Sequence, residues 1–278
     1  MTLEPEDYIE PHCPLGEKCS CAGVHAHRKG TCSDPLPLEK IIEESDRFFN
    51  AGEAEKVGEH LRFWLNEARK RTDRRGELSI LSELMGHYRM NNDPERGLES
   101  VDSGLALLKE LDLSGTLSAG TILLNAATAL QSFGHVDRAL SLYAESARIY
   151  ERHLDPGDWR FAGLFNNMAA AYCEKKEFKL AEKCYLRALE VLQTCRNIMD
   201  AAVTCLNLAQ LYRSWNNDTL LIDGMIDCAM ACFDDPAAPR DGYYAHTCCK
   251  CASGFGALGR SELEKELKSR AEEYYARH

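Results

Sequence analysis

The sequence predicts an all-α chain: a solenoid of five to six antiparallel helix pairs, preceded by a short cysteine- and histidine-rich head. Two observations predict it. The stretch FNNMAAAYCEKKEFKLAEKCYLRAL, Phe165 to Leu189, carries an apolar or small residue at nearly every helical stacking position, with aromatics at Phe165, Tyr172, Phe178 and Tyr185. The same arrangement then recurs along the chain at a nearly constant interval.

Tyr172 anchors the pattern, with Ala169 three residues before it and Ala181, Tyr185 and Ala188 after it. Leu130 anchors an earlier copy, with Ala127 before it and Ala139, Tyr143 and Ser146 after it. Tyr88 leads in the same way to Gly97, Val101 and Gly104. Tyr212 follows Ala209 and precedes Met225 and Cys228. Weaker copies anchor at Phe49, with Gly58 and Leu65, and at Phe255, with Ala252 and Ala271. The six anchors stand 39, 42, 42, 40 and 43 residues apart. In the first copy Asp46 and Arg62 occupy positions that are Ala and aromatic elsewhere. Small residues near each anchor let a first helix approach a second, and KKEF (175–178) and FGHV (133–136) supply tight turns between them. One such pair cannot bury both of its faces, so it must stack on its neighbours.

These residues resemble the tetratricopeptide repeat, in the form with longer helices and a period near 42. NNMAAAY and the preceding loop HLDPGDWRFA resemble the repeats of kinesin light chains and related bacterial tetratricopeptide proteins. The match is strong over 75–230 and weaker over 36–74 and 243–278. The resemblance implies a right-handed superhelix whose first helices line a concave groove, and a scaffold or adaptor that holds a protein or extended peptide there. Five residues before the anchors stand Asn125, Asn167 and Asn207, with Glu83 at the earlier equivalent. An amide both donates and accepts, which suits the backbone of an extended peptide. The resemblance implies ligand contact at this position. The alternative is that these amides bond a neighbouring helix and fix repeat geometry, and the two roles can coexist. One turn on come Thr128, Ala170 and Gln210, then Gln131, Cys173 and Arg213. The positions that carry Lys and Arg in chaperone-tail receptors of this family hold Thr121, Gly163 and Val203, and Leu124, Asn166 and Leu206. That cationic clamp is absent.

The totals narrow the classes of function. A net charge of −11 over 278 residues disfavours nucleic acid. The acidic start, MTLEPEDYIEP, is not expected to be a signal peptide, and no run approaches the roughly 18 apolar residues of a membrane span. A cytoplasmic protein is expected, with no membrane partner. RKRTDRR (69–75) reads as a solvated helix end, where the macrodipole favours cations. GFGALG (254–259) has the spacing of a dinucleotide loop but no βαβ context, and only 19 residues follow it. No metalloprotease motif, nucleophile elbow or P-loop is present, and no catalytic residue is singled out. Two rival readings remain: a peptide-responsive regulator resembling bacterial tetratricopeptide quorum-sensing receptors, and a metal-dependent enzyme acting through the head.

Of 13 cysteines, four lie between Cys13 and Cys32 and nine between Cys173 and Cys251. The odd count favours reduced thiols over a disulfide framework. The sequence divides into a head, 1–35, and a repeat domain, 36–278. HCPLGEKCSCAGVHAHRKGTC (12–32) offers Cys13, Cys19, Cys21, Cys32, His25 and His27, thiolate and imidazole ligands that suit zinc. The head has almost no large apolar side chain, so a metal would have to offset its ordering entropy. About one zinc per chain, held by four of these residues, is the expected result of elemental analysis. Cys19→Ser with Cys21→Ser should abolish it. Metal-free protein whose residues 12–32 resist proteolysis as well as the repeats do would rule the site out.

Overall fold

The structure, a computed structural model, describes residues 34–277, and among them lie twelve helices and no strand. The helices are α1 (Leu38–Asn50), α2 (Ala54–Arg71), α3 (Arg74–Met90), α4 (Pro94–Glu110), α5 (Leu117–Ser132) and α6 (Val136–His153). They continue as α7 (Arg160–Glu174), α8 (Phe178–Cys195), α9 (Ile198–Trp215), α10 (Thr219–Asp234), α11 (Gly242–Ala257) and α12 (Ser261–Tyr275). Consecutive helices pair into six hairpins.

The hairpins share one turn. In five of them a residue in the left-handed region follows the first helix: Gly52, Asn92, Gly134, Lys176 and Gly259. The next amide then bonds back to a carbonyl five residues earlier. These bonds are Glu53 to Phe48, Asp93 to Tyr88, His135 to Leu130, Glu177 to Tyr172 and Arg260 to Phe255, all at 2.8 to 2.9 Å. This closure satisfies an orphan carbonyl at the helix end and reverses the chain at once. Glycine and asparagine supply the left-handed residue in four of the five, because they tolerate positive φ best.

The turn corrects the repeat frame in two places. In the first hairpin the accepting carbonyl is that of Phe48, not Phe49. One residue earlier, the anomalies vanish: Ser45 takes the small position, Val57 replaces Gly58, and Leu61 stands where Arg62 was placed. All three are buried. In the fifth hairpin Asn217 is itself left-handed and donates to Tyr212. That turn holds one residue more, so Ile226 and Ala229 face the first helix in place of Met225 and Cys228.

The described residues divide into two compact units between Leu154 and Asp155. In the first, α3 packs on α5, α2 on α3 and α4 on α5, so first helices meet first helices while second helices back them. Leu36, ahead of α1, is buried, and its amide donates to Asp73 at 2.8 Å. Asp73 also caps α3 by accepting from Gly76 at 2.9 Å. In the second unit α9 packs on α8, α10 and α11. Its core gathers Tyr185, Leu208, Tyr212, Ile226, Phe233, Cys251 and Phe255.

The packing of α6 on α5 in the third hairpin depends on Gly120. A Cβ there would come within 2.8 Å of Tyr150 and 3.0 Å of Ile149, both fully buried, and Ser146 donates to the Gly120 carbonyl at 2.7 Å. Gly120→Val should therefore cost about 2 kcal/mol by overpacking, seen as a lower urea midpoint with helix content retained. An unchanged midpoint would show that α6 can move aside.

Candidate functional site

The first helices α5 and α9 are buried along most of their surface, and what remains open on them is a strip, whereas α7 is more open. Along α5 between Ala119 and Gln131 only Asn125, Thr128 and Gln131 are not buried. On α7 the corresponding open positions are Gly163, Asn166, Asn167, Met168, Ala170, Tyr172 and Cys173, and on α9 they are Ala201, Val203, Asn207, Gln210 and Arg213. All the residues expected from the sequence to meet a ligand sit where the helices are open, except Glu83, which is buried. In the second unit α11 adds His246, Cys249, Lys250 and Ser253. Periodicity explains the strip: residues three and four apart share a face, and every other face meets a neighbouring helix.

The amides are tethered as well as open. Asn125 donates to Ser82 on α3 at 3.0 Å. Asn166 donates to Thr204 on α9 at 3.0 Å, and the Thr204 hydroxyl donates to the Asp200 carbonyl at 2.8 Å. The structural role weighed for the amides is thus present at Asn125, and Asn166, beside Asn167, has a bond of the same kind. Asn167 and Asn207 are half-buried on the same faces.

One turn on, the second helix takes hold. Tyr143 on α6 donates to Gln131 at 2.9 Å, and its hydroxyl lies 3.3 Å from that of Thr128. Tyr185 on α8 repeats this with Cys173, whose thiol is raised first by burial and lowered in part by that bond. Ser82 and Thr204 could not be foreseen as partners, because each lies in a different repeat from the amide it holds.

Glu83 stands at the asparagine register of α3. It is buried, and burial, reinforced by the Asp46 carboxylate, pushes its carboxyl up to about 8. Asp46 is itself raised, first by burial and then by Glu43. At neutral pH Glu83 is therefore mostly protonated, and its carboxyl, like an amide, both donates and accepts.

The basic run divides: its first three cations end α2 as expected, whereas Arg74 and Arg75 open α3. Arg69, Lys70 and Arg71 lie in the last turn of α2. Arg69 pairs with Glu77 at 2.8 Å, Arg71 with Asp34 at 3.0 Å and Arg74 with Glu110 at 2.6 Å. GFGALG spans the end of α11 and the turn into α12, with no strand beside it among the described residues. No helix among those residues is long and apolar enough to cross a membrane. The proposed zinc ligands Cys13, Cys19, Cys21, Cys32, His25 and His27 lie outside the described residues.

Residues 120–159 match the tetratricopeptide repeat family. No curated protein sequence matches the chain. Among solved structures, BtubC (BKLC) from P. vanneervenii is 20% identical over 87% of this chain and 92% of its own, with a TM-score of 0.51. Nearly identical TPR-like repeats of the kinesin light chain type from Podosopora anserina are 16% identical, covering 72% of this chain and 95% of theirs, with a TM-score of 0.53. The apo form of RapI is 11% identical, covering 92% of this chain and 87% of its own, with a TM-score of 0.59. At these identities the likeness is one of fold.

The state of Glu83 has a pH signature. Its folded pKa lies above the unfolded value of about 4.3, so the folded state holds the proton more tightly. The stability this contributes is complete below that value and is lost as pH rises through about 8. Glu83→Gln removes the loss. The variant should match the native chain near pH 4.5 and exceed it above pH 8, by on the order of a few kcal/mol at most. Parallel curves across that range in thermal or urea unfolding would show that Glu83 ionises freely.

Proposed function

The chain has the tetratricopeptide-repeat fold, with residues 120–159 matching the repeat itself, and on that premise we propose that it is a scaffold or adaptor binding a protein or extended peptide along the open strips of its first helices. One observation carries this. The open positions of α5, α7 and α9 are rich in amides and hydroxyls, among them Asn125, Thr128 and Gln131 in the first unit and Asn166, Asn167, Asn207 and Gln210 in the second. Such groups match the evenly spaced N–H and C=O groups of an extended backbone. Tethering by Ser82, Tyr143 and Thr204 holds several of them in place before a ligand arrives, which lowers the entropy lost on binding. In the second unit Arg213 and Lys250 are exposed near the strip, and they suit a peptide with an acidic side chain.

Peptides selected from a random extended library against the full chain provide the test. Asn207→Ala and Gln210→Ala should each weaken such a peptide by roughly five- to tenfold, about 1 kcal/mol, with helicity kept. N-methylation of one central backbone amide in the peptide should weaken it comparably. Affinity indifferent to all three changes would overturn the reading. The regulator alternative uses the same strip and differs in coupling: bound peptide would then change the affinity for a second protein, and reciprocally.

A further inference from the structure

All nine cysteines among the described residues lie in the second unit, and two of them touch. The Cys205 sulfur, buried on α9, is 3.3 Å from the Cys228 sulfur on α10. The contact has a structural cause. The extra residue in the α9–α10 turn rotates the α10 pattern by one place, so that Ala229 takes the helix crossing and Cys228 falls on its flank. The preceding hairpin fills the same two places with a side-chain pair. There Arg187 on α8 lies over the Phe165 ring on α7, 4.3 Å from its centroid. The fifth hairpin puts two thiols where the fourth puts a guanidinium on a ring.

The two sulfurs differ in access. Cys228 is exposed, whereas Cys205 has no exposed surface, and burial, followed by its bond to Cys228, raises its thiol. Cys232, one turn further along α10, is half-buried. A covalent S–S bond is about 2.05 Å long, so the 3.3 Å gap closes with a movement of roughly 1.3 Å, within reach of side-chain rotation.

We propose that Cys205 and Cys228 form a reversible thiol–disulfide site that takes small disulfides of the glutathione class. Cys228 loses its proton to solvent, and its thiolate attacks one sulfur of the small disulfide. The bond between the two small sulfurs breaks, and the first small thiolate leaves and takes up a proton. Cys205 then gives up its proton and attacks the Cys228 sulfur, expelling the second small thiolate. The protein gains one disulfide, the small disulfide gains two electrons and two protons, and excess small thiol reverses both steps. The product ties α9 to α10 across a hairpin whose turn is its only other covalent link.

The reduced full chain, exposed to graded ratios of oxidised to reduced glutathione, provides the test. The expected product has lost two thiols and carries no glutathione. Trypsin should then release residues 197–213 linked to residues 214–240, which are separated by cleavage after Arg213. Cys232→Ser should give the same link, which assigns it to Cys228. Cys205→Ala should instead trap glutathione on Cys228, and Cys228→Ser should give neither product. Unfolding in urea before oxidation should scatter the pairing among all the thiols. Glutathione persisting on Cys228 in the native chain, or a link from Cys228 to Cys232, would overturn the proposal, as would equal pairing in folded and unfolded protein.

Discussion

One backbone hydrogen bond organises each hairpin. The amide that follows the left-handed turn residue bonds to the carbonyl of the residue that anchors the first helix, in five hairpins at the same separation. That bond fixes where the chain reverses, and hence which residues of the second helix face the first. Where it holds in the third and fourth hairpins, Ala139 and Ala181 sit beside the turn, and Tyr143 and Tyr185 lie one turn beyond, with their hydroxyls on Gln131 and Cys173. The aromatic stripe of the repeat and the tethering of the open strip are thus two consequences of one turn geometry.

Most of the fold was legible because the turn imposes a spacing that the sequence must respect. Small residues three before and nine after an anchor are visible without coordinates. What could not be read was the turn's own conformation. In the first repeat Phe48 and Phe49 compete as anchors, and only the Glu53 to Phe48 bond decides between them. In the fifth, WNND gives no indication that Asn217 both adopts positive φ and makes the closing bond. A single added residue there changes which side of α10 is buried. Pattern matching at a fixed offset cannot register that shift, because helix period and turn length trade against each other.

The candidate site was legible as a register and illegible as a network. The recurrence of Asn125, Asn167 and Asn207 follows from sequence alone. The partners of Asn125 and of Asn166 do not, since Ser82 and Thr204 are brought close only when first helices stack on one another. Glu83 is the clearest case. By sequence it is a carboxylate that interrupts a line of amides. In the folded first unit, burial and the nearby Asp46 keep its proton on, and it offers the same pair of functions as its asparagine counterparts. Register predicted the position, while the chemistry came first from burial and then from Asp46 on α1, a helix whose frame the sequence left in error.

In the second unit these arguments converge on α9. Thr204 binds Asn166 of α7, Cys205 meets Cys228 of α10, and Leu206 and Gln210 leave room only for Gly254 of α11. Asn207 and Gln210 stand open on the same helix. Four side chains, three of them consecutive, divided among three neighbours leave little freedom to reorient one without the others, since packed interiors yield in discrete steps. A covalent tie at Cys205 would therefore act two residues from the amide proposed to hold a ligand. Oxidation and ligand binding on α9 would then draw on the same helix placement, and a coupling between them would be reciprocal.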